Sequence, residues 1–170
     1  GQLSNSDWDE HANVVLQATV WLSEFAEPYL KQSGAASIVN LSSGVATEIT
    51  LQHCSWPYHV SKAGLEHLTR YLACRFGEYN IRVNAVAPGL VDRREGTKIS
   101  DSPTNRKIIE NIVPLRRAAT VEEIGSIVSF LCSQEASYLT GQTLVVDGGL
   151  ALNEVFGAVQ KFSELTNTGE

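Results

Sequence analysis

Apolar positions recur along this chain with two different periods, and the places where one period gives way to the other outline its elements. From residue 7 to about 32, Trp8, Ala12, Val15, Ala18, Leu22, Phe25 and Ala26 return every three or four positions. That is the spacing of a helix with one buried face. Ser6 and Asp7 precede it as a cap, Asp9 and Glu10 sit in its first turn, and it should end between Pro28 and Gly34. Residues 37–43 are a short apolar run flanked by small and polar residues, which predicts a buried strand. After a loop of mixed polarity over 44–57, Pro57 opens a second helix reaching about residue 79. Leu65, Leu68, Leu72 and Phe76 form its apolar stripe. Residues 81–87 read as another strand, stopped by Pro88-Gly89, which cannot continue a ladder.

The remainder is more polar. Residues 90–113 carry Gly96, Pro103 and many charges, so a long mobile loop is expected there, holding one short helix near 105–112. Thr120 followed by Val121-Glu122-Glu123 has the form of a capping box, and its helix should run to about 133. Leu144-Val145-Val146 predicts a third strand before the turn Asp147-Gly148-Gly149. Residues 151–170 read as a C-terminal extension, helical to about 165 and then frayed. Strands alternating with helices indicate one α/β domain over 1–170, a parallel sheet with helices on its faces. Three strands are few for such a sheet, and an edge should be left open.

Composition narrows the function. The chain has 170 residues, with 43% hydrophobic and 19% charged positions, the balance of a folded domain. Its formal net charge is -6, and no dense basic run occurs. Neither nucleic-acid binding nor docking on an acidic membrane is expected. No apolar stretch is long enough to cross a bilayer, and the start resembles no signal peptide. Three scattered cysteines, Cys54, Cys74 and Cys132, point to reduced thiols in a cytoplasmic setting. None has a His at metal-ligand spacing, so no metal site is expected.

Chemistry gathers around Ser42-Ser43 and Tyr58-His59-Val60-Ser61-Lys62. Tyr58 and Lys62, four apart on a helix, share a face. A serine at the end of the preceding strand can converge on them, an arrangement suited to proton transfer at an alcohol or carbonyl oxygen. Trp56 either lines a pocket or covers the helix start. Arg93, Arg94 and Lys98 read first as a solvated loop face, and His53 and His59 as loop and helix-surface residues.

Four motifs in order carry a resemblance. They are Ile38-Val39-Asn40-Leu41-Ser42-Ser43, Tyr58-x-x-x-Lys62-Ala63-Gly64, Ile81-Arg82-Val83-Asn84-Ala85-Val86-Ala87-Pro88-Gly89, and Thr140-Gly141-Gln142-Thr143-Leu144-Val145-Val146-Asp147-Gly148-Gly149. Over roughly residues 7–153 the chain resembles the C-terminal half of a short-chain dehydrogenase/reductase of the tropinone reductase-like type. The resemblance implies a truncated Rossmann-type doubly wound parallel sheet. It implies Tyr58 as acid/base, Lys62 as the ammonium that stabilises its phenolate and holds the nicotinamide ribose, and Ser43 as the group orienting substrate. Pro88, Gly89 and Val91 would face an NAD or NADP cofactor. Val45, Trp56 and Arg93 would face substrate, with 90–113 as the lid.

Three departures accompany it. The 13 glycines contain no Gly-x-x-x-Gly-x-Gly pattern, so the helix N-terminus that binds pyrophosphate is missing. The family's helical Asn, aligned on Trp8-Asp9 and Leu22-Ser23, falls on Val15; Asn13 lies about 200° round the helix from it. Where the family carries a Thr beyond Pro-Gly, this chain has Arg93. The expected function is interconversion of a secondary alcohol and a ketone, with the missing half supplied from elsewhere. Two alternatives stand beside it: a cofactor-free isomerase, lyase or cyclase using Tyr58, Lys62 and Ser43, or a non-catalytic subunit. The chain is expected to form a homo-oligomer or a heteromer with a chain supplying the missing strands.

Overall fold

The computed structural model describes residues 5–50, 54–153, 157, 159, 160 and 163. In chain order its strands are β1 Ser37–Leu41, β2 Arg82–Pro88, β3 Val91–Asp92, β4 Ala119–Thr120 and β5 Thr143–Val146. Its helices are α1 Asn5–His11, α2 Ala18–Ser33, α3 Trp56–Gly77, α4 Pro103–Ile112 and α5 Val121–Cys132. The main sheet is parallel with the order β1-β2-β5. Ser37 stands opposite Arg82 and Leu41 opposite Val86, while on the other side of β2 Ala85 faces Thr143 and Pro88 faces Val146. Parallel neighbours need crossovers. Helix α3 supplies the first, and α4 and α5 the second.

The two sheet faces bury different helices. Ala36, Ile81 and Val83 pack with Leu72, Ala73 and Phe76 of α3, with Leu30, Ile38 and Leu68 closing the cluster. On the opposite face Val86 packs with Ile124 and Leu131 of α5 and with Ala136. The apolar stripe expected on α3 is therefore part of the core. Asn84, on the α5 side, is fully buried and satisfied. It donates to the Leu139 carbonyl at 2.8 Å and accepts from the Gln142 amide at 3.0 Å, which fixes the approach to β5. Arg82 caps the end of α5 by donating to the Leu131 and Ser133 carbonyls at 2.6 and 3.1 Å. The capping box at the start of α5 is present as expected, with Thr120 and Glu123 bonded reciprocally. The Arg117 guanidinium beside Glu123 is the main reason its carboxyl is pulled down to about 2.

The structure corrects the sequence reading in two places, the first helix and the segment 90–113. The first helix is interrupted by a π-helical run, Ala12–Gln17, between α1 and α2. The wider turn changes the phase of everything after it. Leu22 and Phe25, expected on the buried face, are 67% and 74% exposed, and Ser23 is buried instead. Pro28 lies inside α2, which ends at Gly34 in the left-handed conformation that favours glycine. The segment 90–113 holds more than one short helix. It contains β3, paired with β4, and a 3-10 turn Ile99–Asp101 ahead of α4. Asp92 ties these together, accepting from the Ser100 amide at 3.1 Å and from its hydroxyl at 2.6 Å. Most of 151–170 lies outside the described residues.

Phe76 is fully enclosed between α3 and the sheet. Phe76→Ala should cost roughly 3–5 kcal/mol of unfolding free energy, read as a lower urea midpoint.

Candidate functional site

Because β1, β2 and β5 run the same way, all three end at one rim of the sheet, where ligands of open α/β sheets bind. β1 runs out into Ser42-Ser43 and a 3-10 turn, Gly44–Ala46. β2 ends at Pro88-Gly89, and β5 at Asp147. Helix α3 starts at the same rim, with Pro57 in its first turn, where the missing N–H costs nothing.

Ser42 and Ser43 divide their duties. The Ser42 hydroxyl is buried and donates to Glu66 of α3 at 2.9 Å. Asn40 donates to Thr69 of α3 at 2.9 Å, so β1 is fastened to α3 at two points. Ser43 is half-buried in extended backbone, and its carbonyl accepts from the Ala46 amide at 3.0 Å. Side chains alternate along extended backbone, so Ser43 points away from the Ser42–Glu66 contact.

Tyr58 is half-buried on the first turns of α3. His11 of α1 meets its ring edge-on, with centroids 5.9 Å apart. The Lys62 ammonium lies 5.6 Å from the Tyr58 ring centroid, so the two do share one face. That ammonium donates to the Leu41 carbonyl at 2.7 Å, and burial holds the lysine below its ordinary pKa. Trp56 is half exposed and stacks on Trp8 with centroids 5.3 Å apart. It covers the start of α3 while leaving an edge at the rim.

His59 has a structural task. Its Nε2 accepts from the Thr50 amide at 3.1 Å, so Nδ1 carries the proton donated to the Ser55 carbonyl at 2.9 Å. The ring pins the loop after β1 to the start of α3. His53 lies outside the described residues.

The other expected contacts occupy different positions. Val45 sits in the turn after β1, half-buried. Gly89 has no room for a side chain, since a Cβ there would stand 2.7 Å from the Asp147 Cβ. This close approach of β2 to β5 accounts for the glycine without reference to a ligand. The Val91 side chain joins the core cluster on the α5 face. Arg93 is exposed in the loop after β3, and the neighbouring Arg94 stands 3.9 Å from Glu122. Among the described residues, no three His, Cys, Asp or Glu side chains gather closely enough to hold a metal ion. None of the described helices is long and apolar enough to cross a membrane.

With this geometry in view, the likeness to known proteins is specific. A family model described as enoyl-(acyl carrier protein) reductase matches residues 1–151. The chain belongs to the short-chain dehydrogenase/reductase family. A tropinone reductase homolog of Arabidopsis thaliana is 39% identical over 86% of this chain and 54% of its own length. Dehydrogenase/reductase SDR family member 4 of Bos taurus is 39% identical over 84% of this chain and 50% of its own. A 3-oxoacyl-[acyl-carrier protein] reductase of Brucella melitensis, solved with bound NAD, superposes with a TM-score of 0.77 at 28% identity, covering 88% of this chain and 53% of that one. This short-chain dehydrogenase/reductase thus spans about half the length of the curated relatives it matches.

Sequence reasoning missed three groups at the rim. Trp8 and His11 reach α3 only through packing, and nothing in their spacing announces it. Glu48 follows the Gly44–Ala46 turn, with its carboxylate 3.7 Å from where a Cβ on Gly44 would lie. Burial first, and then the charge of Asp147, raise the Glu48 pKa. Asp147 itself accepts from the Gly149 and Ala151 amides at 2.8 and 2.7 Å.

A carboxyl whose folded pKa is raised adds stability at low pH. That contribution is lost as pH rises through the folded value. Glu48→Gln removes the titration. Urea unfolding between about pH 4 and pH 7 should therefore show a flatter stability profile in the variant, with its relative gain at the neutral end.

Proposed function

We propose that this chain carries the acid/base half of a nicotinamide-dependent interconversion of a secondary alcohol and a ketone. The observation that supports the reading is the Tyr58–Lys62 pair on one face of α3 at the strand-end rim, beside the turn headed by Ser43. An isolated phenol titrates near 10, too high for a base at neutral pH. A nearby ammonium stabilises negative charge that develops on the phenol oxygen during proton transfer. In this reading Tyr58 delivers or takes the proton at the substrate oxygen, Ser43 orients that oxygen, and Lys62 holds the charge balance and the ribose. Val45, Trp56 and Arg93 are proposed to face substrate.

An NAD or NADP cofactor would supply the hydride. Lys62 and the backbone of Pro88, Gly89 and Val91 are proposed to hold its nicotinamide end. The pyrophosphate end lacks donors, because no glycine-rich turn occurs in this sequence. The remainder of the fold, in this polypeptide or in a second chain of a homo-oligomer or heteromer, is proposed to provide it. Trp21, Leu22, Phe25 and Tyr29, all more than half exposed on α2, support association. Three free cysteines fit a cytoplasmic setting.

In an assembly that turns over, Tyr58→Phe should lower ketone reduction by about 10²–10⁴-fold with folding unchanged. Retained turnover would remove Tyr58 from the chemistry. For the isolated chain, calorimetry should find weak or no NAD or NADP binding, and light scattering should find an associated species. Low-micromolar affinity would overturn the need for the remainder of the fold, and a sharply melting monomer would overturn the association.

A further inference from the structure

The turn after β1 is tied together by its own backbone. The Ser43 carbonyl accepts from the Ala46 amide at 3.0 Å, and the Gly44 carbonyl accepts from the Thr47 and Glu48 amides at 3.1 and 3.0 Å. These bonds fix the shape of the turn but not where it sits. One end is anchored at Ser42, whose amide donates to the Val86 carbonyl at 2.7 Å and whose hydroxyl donates to Glu66 at 2.9 Å. The other end runs to Thr50. Ile49 beside it is 75% exposed, so apolar packing does not hold this end. His59 holds it instead. Its Nε2 accepts from the Thr50 amide at 3.1 Å and stands 3.4 Å from the Thr50 hydroxyl. Its Nδ1 donates at 2.9 Å to the carbonyl of Ser55, the residue that caps α3. The ring is thus bonded to its own helix on one side and to the turn on the other.

We propose that His59 is a positioning residue for the rim: its neutral ring clamps the turn after β1 to the first turn of α3, and protonation of the ring opens the clamp. An imidazolium carries a proton on both nitrogens. Nε2 then has nothing with which to accept from the Thr50 amide, and two N–H groups face each other. The Ser55 bond survives, because Nδ1 donates in either state. The clamp therefore opens on the turn side alone, and the turn is left to pivot about its Ser42 anchor. Charged and titratable neighbours are engaged elsewhere. Lys62 and Glu66 lie on the His59 side of α3; the first donates to the Leu41 carbonyl and the second accepts from Ser42. Tyr58 meets His11 of α1, whose Nδ1 is bonded to the Asp7 carbonyl. In the turn, Glu48 stands beside Gly44. Among the described residues no carboxylate is paired with the His59 ring, so none is in place to hold the charged ring where the neutral one sat. His59 follows Tyr58 directly, so the clamp sets the turn bearing Ser43 and Val45 against the same helical turn that carries the phenol. Its consequence for substrate rests on the function proposed above, whereas the clamp itself rests on these hydrogen bonds.

The test uses this chain labelled with ¹⁵N. Ring ¹⁵N shifts report which His59 nitrogens carry protons. Hydrogen exchange at the Thr50 amide, normalised to its intrinsic rate at each pH, reports the clamp. At about pH 8 Nε2 should be bare and Thr50 protected, and towards about pH 5 the ring should charge. Protection of Thr50 should fall in step with that titration, by about two- to tenfold, the factor of one hydrogen bond. The Val83 amide, bonded to Thr140 at 3.1 Å, should stay protected, which separates opening of the clamp from unfolding. His59→Phe should leave Thr50 unprotected throughout. His59→Gln, with no ring to charge, should show Thr50 exchange that does not vary with pH. A proton on Nε2 at high pH, a ring that stays neutral throughout, protection that outlasts its charging, protection intact in His59→Phe, or a pH-dependent loss persisting in His59→Gln would each overturn the clamp. In an assembly that turns over, His59→Phe should raise KM for the ketone about two- to tenfold with little change in kcat. An unchanged KM would overturn the positioning role. Turnover that survives Tyr58→Phe would sink the catalytic reading and leave the clamp standing.

Discussion

Parallel pairing of β1 and β5 on either side of β2 is the constraint on which everything else depends. It brings three strand ends to one rim, and it forces each return through a helix. The first return must start where β1 stops, so the opening residues of α3 arrive at the rim together with Ser43 and Pro88. The register is held by polar contacts as well as by apolar packing. Asn40 and Ser42 fasten β1 to α3, while Asn84 fastens β2 to the segment leading into β5. Each is buried and paired, so a slip of one residue would strand several polar groups in the core.

The same constraint creates the electrical character of the rim. Strand ends crowd carboxyl-bearing loops together, which puts Glu48 within the influence of Asp147. They also leave Lys62 half removed from water, with a backbone carbonyl as its partner. The edge of His11 meets Tyr58, and two residues earlier on α3 Trp56 stacks on Trp8. Membership of the short-chain dehydrogenase/reductase family agrees with this layout.

Much of the fold was legible in the chain because its signals are local. The α3 stripe of Leu65, Leu72 and Phe76 repeats at the helix period, and all three side chains are buried. Pro57, Gly34 and the Thr120–Glu123 box mark helix ends through groups within a few residues of one another. The first helix misled for a reason equally specific. A π-helical run is set by how the chain packs, and it moved Leu22 and Phe25 off the face that a uniform 3.6-residue period assigns them. The pairing of Val91-Asp92 with Ala119-Thr120 spans too many residues, over too short a ladder, to leave a pattern.

By itself, then, the sequence determined the alternation of strands and helices, the spacing that sets Tyr58 and Lys62 on one helix face, and the lack of a phosphate-binding turn. Each follows from residues close together in the chain. Tertiary structure alone decided that Gly89 must clear Asp147, that His11 meets Tyr58, and that the Lys62 ammonium rests on Leu41. Those outcomes depend on distant segments sharing one rim.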